Sequence, residues 1–245
     1  MYSGQDQPPS YQPPVYTPPQ QRVRFEDIGV AFQLLQKQLG AWVGASALIG
    51  LINAVLVGPL YGYYIYQSIQ KPGAEQPLVS GLFSGLVTFV GLMGMAGLQK
   101  MALKQLRGES LSPTSFTGAF AKFGSLAVMA LVLGVVSALI SALPGFIPLL
   151  LIIPETLFTT LFTLAILLIL DQDCAPLDAL RKSARVISQE YWLVLAFSLV
   201  LGMAGSLGAI ACGVGMLFTL PIIPLGVTVL YRNFYPERFN DGGGS

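Results

Sequence analysis

The chain has 245 residues, of which 53% are hydrophobic and only 10% are charged, and its mean hydropathy is +0.67. Because a soluble domain carries about 25% charged residues, this composition excludes an ordinary soluble protein and predicts an integral membrane protein. The formal net charge of +1 gives no sign of a nucleic-acid-binding surface, so no nucleic acid is expected as a partner.

The sequence contains no histidine, and its two cysteines, Cys174 and Cys212, form no CxxC pattern. Histidine is the commonest metal ligand and the commonest general base at neutral pH. The paired acids Asp171 and Asp173 are interpreted as loop residues in front of a helix. The sequence therefore predicts no enzyme activity, no metal site and no cofactor.

Residues 1–21 are rich in Pro, Gln and Tyr, a composition that favours extended polyproline II and predicts a disordered cytoplasmic tail. Two Pro-Pro-x-Tyr units in this tail match the ligands of WW-type grooves. The candidate docking residues are Pro8, Pro9, Tyr11, Pro13, Pro14 and Tyr16. A flexible tether or a weak self-association segment is the other interpretation.

The stretch "FEDIGVAFQLLQKQL" begins the predicted membrane domain, residues 22–235. Its apolar residues recur at alternating spacings of three and four, which predicts an amphipathic helix in the membrane interface. They are Phe25, Ile28, Phe32, Leu35 and Leu39. Two predicted spans follow, at about 42–66 and 78–98.

The same unit recurs twice more. "SPTSFTGAFAKF" and "PLDALRKSARVISQEYW" predict further interfacial helices, and the predicted spans that follow them are at about 126–143, 148–170, 192–211 and 213–231. The predicted fold is all-α, with six transmembrane helices in three hairpins, each preceded by an amphipathic interfacial helix. Residues 236–245 form a C-terminal tail that ends in a linker-like Gly-Gly-Gly-Ser.

The lysines and arginines are distributed very unequally between the two predicted sides of the membrane. One side holds Lys71 alone, and the positive-inside rule therefore predicts that the other side, with both termini, is cytoplasmic. The cytoplasmic set is Arg22, Arg24, Lys37, Lys100, Lys104, Arg107, Lys122, Arg181, Lys182, Arg185, Arg232 and Arg238.

Two stretches carry a family resemblance. "PLDALRKSARVISQEYWLVL" and "GVGMLFTLPIIPLGVTVLYRNFY" resemble segments of uncharacterised bacterial six-span membrane proteins, a set similar to the membrane domain fused to glycerophosphodiester phosphodiesterases. The match covers roughly the last sixty residues. The resemblance implies a multi-pass protein of the bacterial inner membrane, without a characterised active site.

Glu155 is the one acidic residue inside a predicted span. A charged group at mid-bilayer costs about 2.5–3.5 kcal/mol on insertion scales, so such residues are usually functional or paired. One interpretation is a proton- or cation-coupling site with Asn53, Thr156 and Thr159. The other is that Pro154-Glu155 marks a helix break, where Glu155 caps a helix segment near the outer interface.

Regularly spaced glycines within the spans predict close helix packing, because small residues let helix backbones approach in lipid. They are Gly81, Gly85, Gly91, Gly94, Gly97, Gly202, Gly205 and Gly208. A phosphate-binding loop is excluded by their position inside apolar spans. Pro59, Pro221 and Pro224 predict kinks or breaks in the spans.

The basic cluster Arg181, Lys182 and Arg185 fits either anionic lipid binding or a general positive-inside signal, with Asp171, Asp173 and Asp178 offsetting its charge.

Three functional hypotheses follow. The first is a non-enzymatic structural or accessory subunit that packs in the lipid bilayer with itself or within a larger membrane complex. The second is a small-solute transporter or channel centred on Glu155. The third is an adaptor that recruits WW-type partners through Tyr11 and Tyr16.

Overall fold

The computed structural model describes residues 22–70, 77–141, 143, 156–157, 159–210 and 215–240. Regular structure in these residues is entirely helical. The α-helices are α1 Glu26–Lys37, α2 Leu39–Gln70, α3 Pro77–Leu106, α4 Phe123–Ser141, α5 Ala165–Gln172, α6 Pro176–Ile187, α7 Tyr191–Ile210, α8 Met216–Thr219, α9 Ile222–Phe234 and α10 Glu237–Asn240. Two 3₁₀ helices, Pro113–Lys122 and Ser188–Glu190, precede α4 and α7.

Among the described residues, five segments are long and apolar enough to cross a membrane, which confirms the prediction of a multi-pass all-α protein. They are Leu39–Gln67, Gly81–Leu106, Pro113–Ile140, Pro176–Gly208 and Leu217–Phe234. Much of the predicted fourth span, including residues 148–155, lies outside the described residues. Six spans arranged in three hairpins therefore stay a prediction.

The prolines act differently from one another. Pro59 lies within α2, which continues through it as a helix of 32 residues. Pro221 separates the short helix α8 from α9, so the sixth predicted span consists of two helices. Pro224 lies in the first turn of α9, where a missing backbone N–H is tolerated because that group has no partner within the helix.

The core of the bundle is formed by α5 and α9. Every residue from 165 to 170 is buried, and a helix that is apolar on all sides belongs inside a bundle. In α9, Val229, Leu230 and Tyr231 are fully buried, and the helix packs against α1, α3 and α7. By contrast, α2 lies at the periphery of the bundle, and apolar side chains along it, such as Leu51 and Val55, are exposed.

The predicted amphipathic helices bury only part of their apolar stripes within the bundle. In α1 the buried residues are Asp27, Ala31 and Leu35, whereas Phe25 and Phe32 are exposed. The reason is that α1 packs along α9, which receives a narrow face with a small residue at its centre. The Phe32 side chain is left on the outer side of the helix, where a bilayer would contact it, whereas the Phe25 ring lies 6.2 Å from the ring of the buried Phe197 in α7.

The second and third segments show the same pattern. The 3₁₀ helix Pro113–Lys122 buries Phe116 and Ala119 and exposes Phe120. In α6 the buried stripe is Ala179, Ser183 and Ile187, and the charged residues lie on the opposite side. Leu177, in the first turn of α6, is 61% exposed. Each segment therefore packs into the bundle by a narrow face that contains at least one small residue, and leaves other bulky apolar side chains exposed.

The polar segments of the chain meet at one end of the bundle. The backbone N–H of Val23 donates to Glu190 Oε2 at 3.2 Å, and the N–H of Leu111 donates to Gln38 Oε1 at 2.7 Å. Lys122 forms an ion pair with Asp173. We call this region the polar end. It includes the residues on both sides of α1 and α6 and the residues that follow α3, α5 and α9.

Candidate functional site

A buried acid organises the polar end. The side chain of Asp171, at the C-terminal end of α5, is 1% exposed. Its Oδ1 forms an ion pair with Arg107, and its Oδ2 accepts a hydrogen bond from Tyr231 Oη at 2.7 Å. Arg238 donates to the same Oδ2 at 3.2 Å and to the Asp171 carbonyl at 2.8 Å. Three separate segments therefore converge on one carboxylate.

The Asp171 carboxyl is held in its charged form. Burial raises the pKa of this carboxyl. Hydrogen bonds from Tyr231 and the two arginines lower the pKa by more than burial raises it, so that the pKa lies below the ordinary aspartate value. The interpretation of Asp171 as a loop acid was wrong. The signal that sequence reasoning missed was its position directly after a run of seven apolar residues.

Two other polar contacts join segments distant in the chain. Trp42 is fully buried, and its Nε1 donates to Gln105 Oε1 at 2.8 Å. Gln105 Nε2 donates in turn to the Leu34 carbonyl at 2.6 Å, which links α1, α2 and α3. Asn233 donates to Asp27 Oδ2 at 2.6 Å and ties α9 to α1. These side chains use their hydrogen-bonding capacity to hold helices together.

A polar depression of about 570 Å³ lies beside α6. Its lining residues are Gln172, Asp173, Cys174, Ala175, Asp178, Arg181, Lys182 and Arg185. The predicted offset of the basic cluster by all three aspartates is wrong in part. Asp171 and Asp173 pair with basic residues outside the cluster, and Arg181 approaches Asp178 at 3.8 Å.

A second cavity, of about 560 Å³, lies among the apolar helices. Its walls come from α3, α4, α9 and the residues before α5. The lining residues are Thr88, Leu92, Met95, Gln99, Met129, Leu133, Val136, Ser137, Ile140, Thr159, Phe162, Thr163, Ile166, Ile223 and Val227. We call it the intramembrane cavity.

Gln99 is a polar residue of this cavity that sequence reasoning missed. Its side chain is buried, with a relative exposure of 3%, and its Oε1 has no hydrogen-bond partner among the described residues. An unpartnered buried acceptor costs about 1–3 kcal/mol. The available signal in the sequence is a glutamine between the predicted end of the second span, at residue 98, and Lys100.

The predicted polar site is only partly described. Glu155 lies outside the described residues. Thr159 lines the intramembrane cavity, and its hydroxyl donates to the Thr156 carbonyl at 3.2 Å. Asn53 Nδ2 donates to the Ile49 carbonyl of its own helix at 2.9 Å, and Asn53 is absent from the cavity lining.

Two predicted packing glycines of α3 lie in tight contacts, whereas Gly91 on α3 and Gly202 on α7 do not. A Cβ placed on Gly85 would lie 3.1 Å from the Gly134 carbonyl oxygen on α4, and one on Gly94 would lie 3.0 Å from Ile49. Gly134 is a packing residue that the sequence pattern did not single out. Gly91 and Gly202 are exposed, and a Cβ on either would meet nothing within 4 Å in the described part of the chain.

The remaining predicted glycines are also internal. A Cβ on Gly97 would lie 3.1 Å from Phe116, one on Gly205 would lie 2.6 Å from Ile223, and one on Gly208 would collide with Thr219. Gly81 is buried.

The Pro-Pro-x-Tyr units and Cys212 lie outside the described residues, and Cys174 is a buried free thiol.

Comparisons with protein families, curated proteins and solved structures found no match to this chain. The resemblance to bacterial six-span membrane proteins therefore stays a prediction. Within the described ranges, no group of three or more potential metal ligands occurs.

Proposed function

We propose that this chain is a non-enzymatic structural or accessory subunit of a membrane assembly. The proposal rests on one observation: charged groups at the polar end pair with one another inside the protein. The carboxylate of Asp171 is enclosed by Arg107, Tyr231 and Arg238, so that its charge joins helices and is shielded from any substrate. A subunit that must present a stable shape to partners benefits from such internal pairing.

The membrane is a bacterial inner membrane in this proposal, and both termini and the polar end face the cytoplasm. Support comes from the sequence resemblance and from the excess of Lys and Arg over the lone Lys71 of the other side. Exposed bulky residues at the polar end, such as Phe32, Phe120 and Trp192, suit the depth of lipid headgroups.

The surfaces proposed for contact with a second copy or a partner subunit surround Gly91 on α3 and Gly202 on α7. Both glycines are exposed, and they leave room for another helix to approach closely. Replacement of either by Leu is expected to reduce assembly while the free energy of unfolding stays within about 0.5 kcal/mol of the wild type.

Purification from the source membrane in native nanodiscs, read by mass spectrometry, tests this proposal. A stoichiometric larger complex or a homo-oligomer is expected, and Gly202→Leu should shift it toward the monomer. Phe218→Leu, which changes an exposed apolar residue elsewhere, serves as the control variant. A monomer in the wild type would contradict the accessory role.

A small-solute transporter or channel that uses Glu155 is the second candidate. The observation in its favour is that Thr159 and Thr163 line both the intramembrane cavity and a smaller cavity of about 170 Å³. Glu155→Gln is expected to abolish flux in proteoliposomes while the thermal unfolding midpoint stays unchanged. Unchanged flux would refute this candidate.

A third, weaker candidate is an adaptor that binds WW-type domains through the Pro-Pro-x-Tyr units at Pro8–Tyr11 and Pro13–Tyr16. The double variant Tyr11→Ala/Tyr16→Ala would lose such binding, and removal of residues 1–21 would release the partner from the purified complex.

A further inference from the structure

We propose that the intramembrane cavity binds a single-chain amphiphile with a hydroxyl head, such as a long-chain alcohol or a monoacylglycerol. The head would donate its hydrogen bond to Gln99 Oε1, and the chain would lie along α3 and α4. This inference is independent of the accessory role proposed above.

The shape of the cavity favours a slender ligand. Its lining residues on α3 are Thr88, Leu92, Met95 and Gln99, which occupy one face of the helix. At 1.5 Å per residue, the distance from Thr88 to Gln99 is roughly 16 Å along the helix. Met95, Met129 and Ile223 give the middle of the cavity an apolar surface suited to an alkyl chain.

The polarity of the cavity favours a hydroxyl at one end. Thr88 donates to Ser137 Oγ at 3.2 Å, and Thr163 donates to the Thr160 carbonyl at 2.8 Å, so these lining groups are already bonded. Gln99 differs, because its buried Oε1 lacks a partner in the described residues. A purely apolar ligand would leave this oxygen unbonded, whereas a hydroxyl would satisfy it.

The position of Gln99 also fits the orientation of a membrane amphiphile. Gln99 lies next to Lys100, on the side of the cavity nearer the polar end, and Thr88 lies deeper in the span. A ligand with its hydroxyl at Gln99 therefore keeps the head toward the headgroup region and the chain toward the bilayer centre. Val136 lines the cavity and is 39% exposed, which gives the ligand a lateral entry from lipid.

The test uses the full chain in nanodiscs and a dodecanol that carries a photoreactive diazirine on its chain. Mass spectrometry should map adducts to cavity residues, above all Met95 and Met129. Unlabelled dodecanol should compete about fivefold better than methyl dodecyl ether, which lacks the hydroxyl proton, since one net hydrogen bond contributes about that factor.

Gln99→Leu removes the acceptor and keeps a side chain of similar length. It should retain the adducts at Met95 and Met129 while dodecanol and the ether compete equally. Gln33→Leu, an exposed change on α1, should keep the fivefold preference. Leu133→Trp, which fills the cavity, should abolish the adducts there and leave any background labelling of α2.

Equal competition by alcohol and ether in the wild type would overturn the proposal, because water or the chain itself would then satisfy Gln99. Adducts confined to exposed residues of α2, such as Leu51 and Val55, would also overturn it, because the probe would then only partition into lipid.

Discussion

At the scale of single residues, Asp171 shows how partners decide the role of a charged group. It lies in the last turn of α5, where the helix dipole disfavours a negative charge. Arg107 and Arg238 compensate that charge, and Tyr231 donates to it from the middle of the core. Removal of the carboxylate would leave this donor and the arginines without their shared acceptor.

Asp171→Asn is expected to lower the free energy of unfolding by about 2 kcal/mol at neutral pH, since the arginines are themselves partly exposed. The folded-state pKa of Asp171 is depressed, so its stabilisation is fully present above the unfolded value of about 3.9 and is lost as pH falls through the folded pKa. Chemical denaturation in mild detergent at several pH values measures both effects.

Asp173→Asn is the matched control, because the Asp173 side chain is 67% exposed and its ion pair with Lys122 lies at the surface. It should change stability by less than about 1 kcal/mol. The structural role of Asp171 would be contradicted if both variants lost the same free energy of unfolding, or if the loss of stability at acid pH persisted fully in Asp171→Asn.

At the scale of elements, the close approach of α3 and α4 depends on a pair of facing glycines. A Cβ on Gly85 would lie 3.1 Å from the Gly134 carbonyl oxygen, and a Cβ on Gly134 would lie 3.0 Å from that of Gly85. Backbone lies on both sides of the contact, so a side chain could be accommodated only by moving a helix. Beside this contact, Ser137 bonds to both Ser84 and Thr88.

Gly85→Leu is therefore expected to lower the free energy of unfolding by about 2 kcal/mol or more, through overpacking of α3 against α4. Gly91→Leu, on an exposed face of the same helix, should change it by less than about 0.5 kcal/mol. Parallel denaturation titrations compare the two variants. Equal destabilisation by both would show that the effect does not come from the contact with Gly134, since helix propensity favours Leu over Gly at either position.

At the scale of the whole molecule, the charged segments meet at one polar end while the described spans expose apolar side chains. The orientation of the protein in the membrane can therefore be tested with one cysteine probe at each end of the bundle. Arg181, at the polar end, and Tyr66, near the far end of α2, are both exposed. Each position accepts a cysteine in a chain whose native cysteines, Cys174 and Cys212, are replaced by serine.

We expect Arg181→Cys to react with a membrane-impermeant maleimide only in inside-out vesicles, and Tyr66→Cys only in right-side-out vesicles, since the basic side is the cytoplasmic one. Mass-shift gels after solubilisation measure the labelled fraction. Labelling in the reverse pattern would show that the topology is opposite to the proposed one. Labelling of both positions from one side would show that the two ends do not lie on opposite sides of the membrane.

Local patterns predicted much of the element list. Apolar run length predicted α2, α3, α4 and α7, because a span needs about twenty apolar residues whatever it packs against. The boundaries were less accurate: α3 extends to Leu106, beyond the predicted end at residue 98. Helix continues there because Gln105 and the buried residues 101–103 pack against other segments, which hydropathy does not register.

The sequence by itself determined that this is a helical, multi-pass membrane protein, because hydropathy and charge are properties of each stretch alone. Only the tertiary structure decided which faces are buried, that Asp171 is enclosed by three distant side chains, and that Gln99 lines a cavity with no hydrogen-bond partner for its Oε1 among the described residues. These features arise from contacts between segments far apart in the chain. No periodicity within one segment records them, since a helix presents several faces and its neighbours select among them.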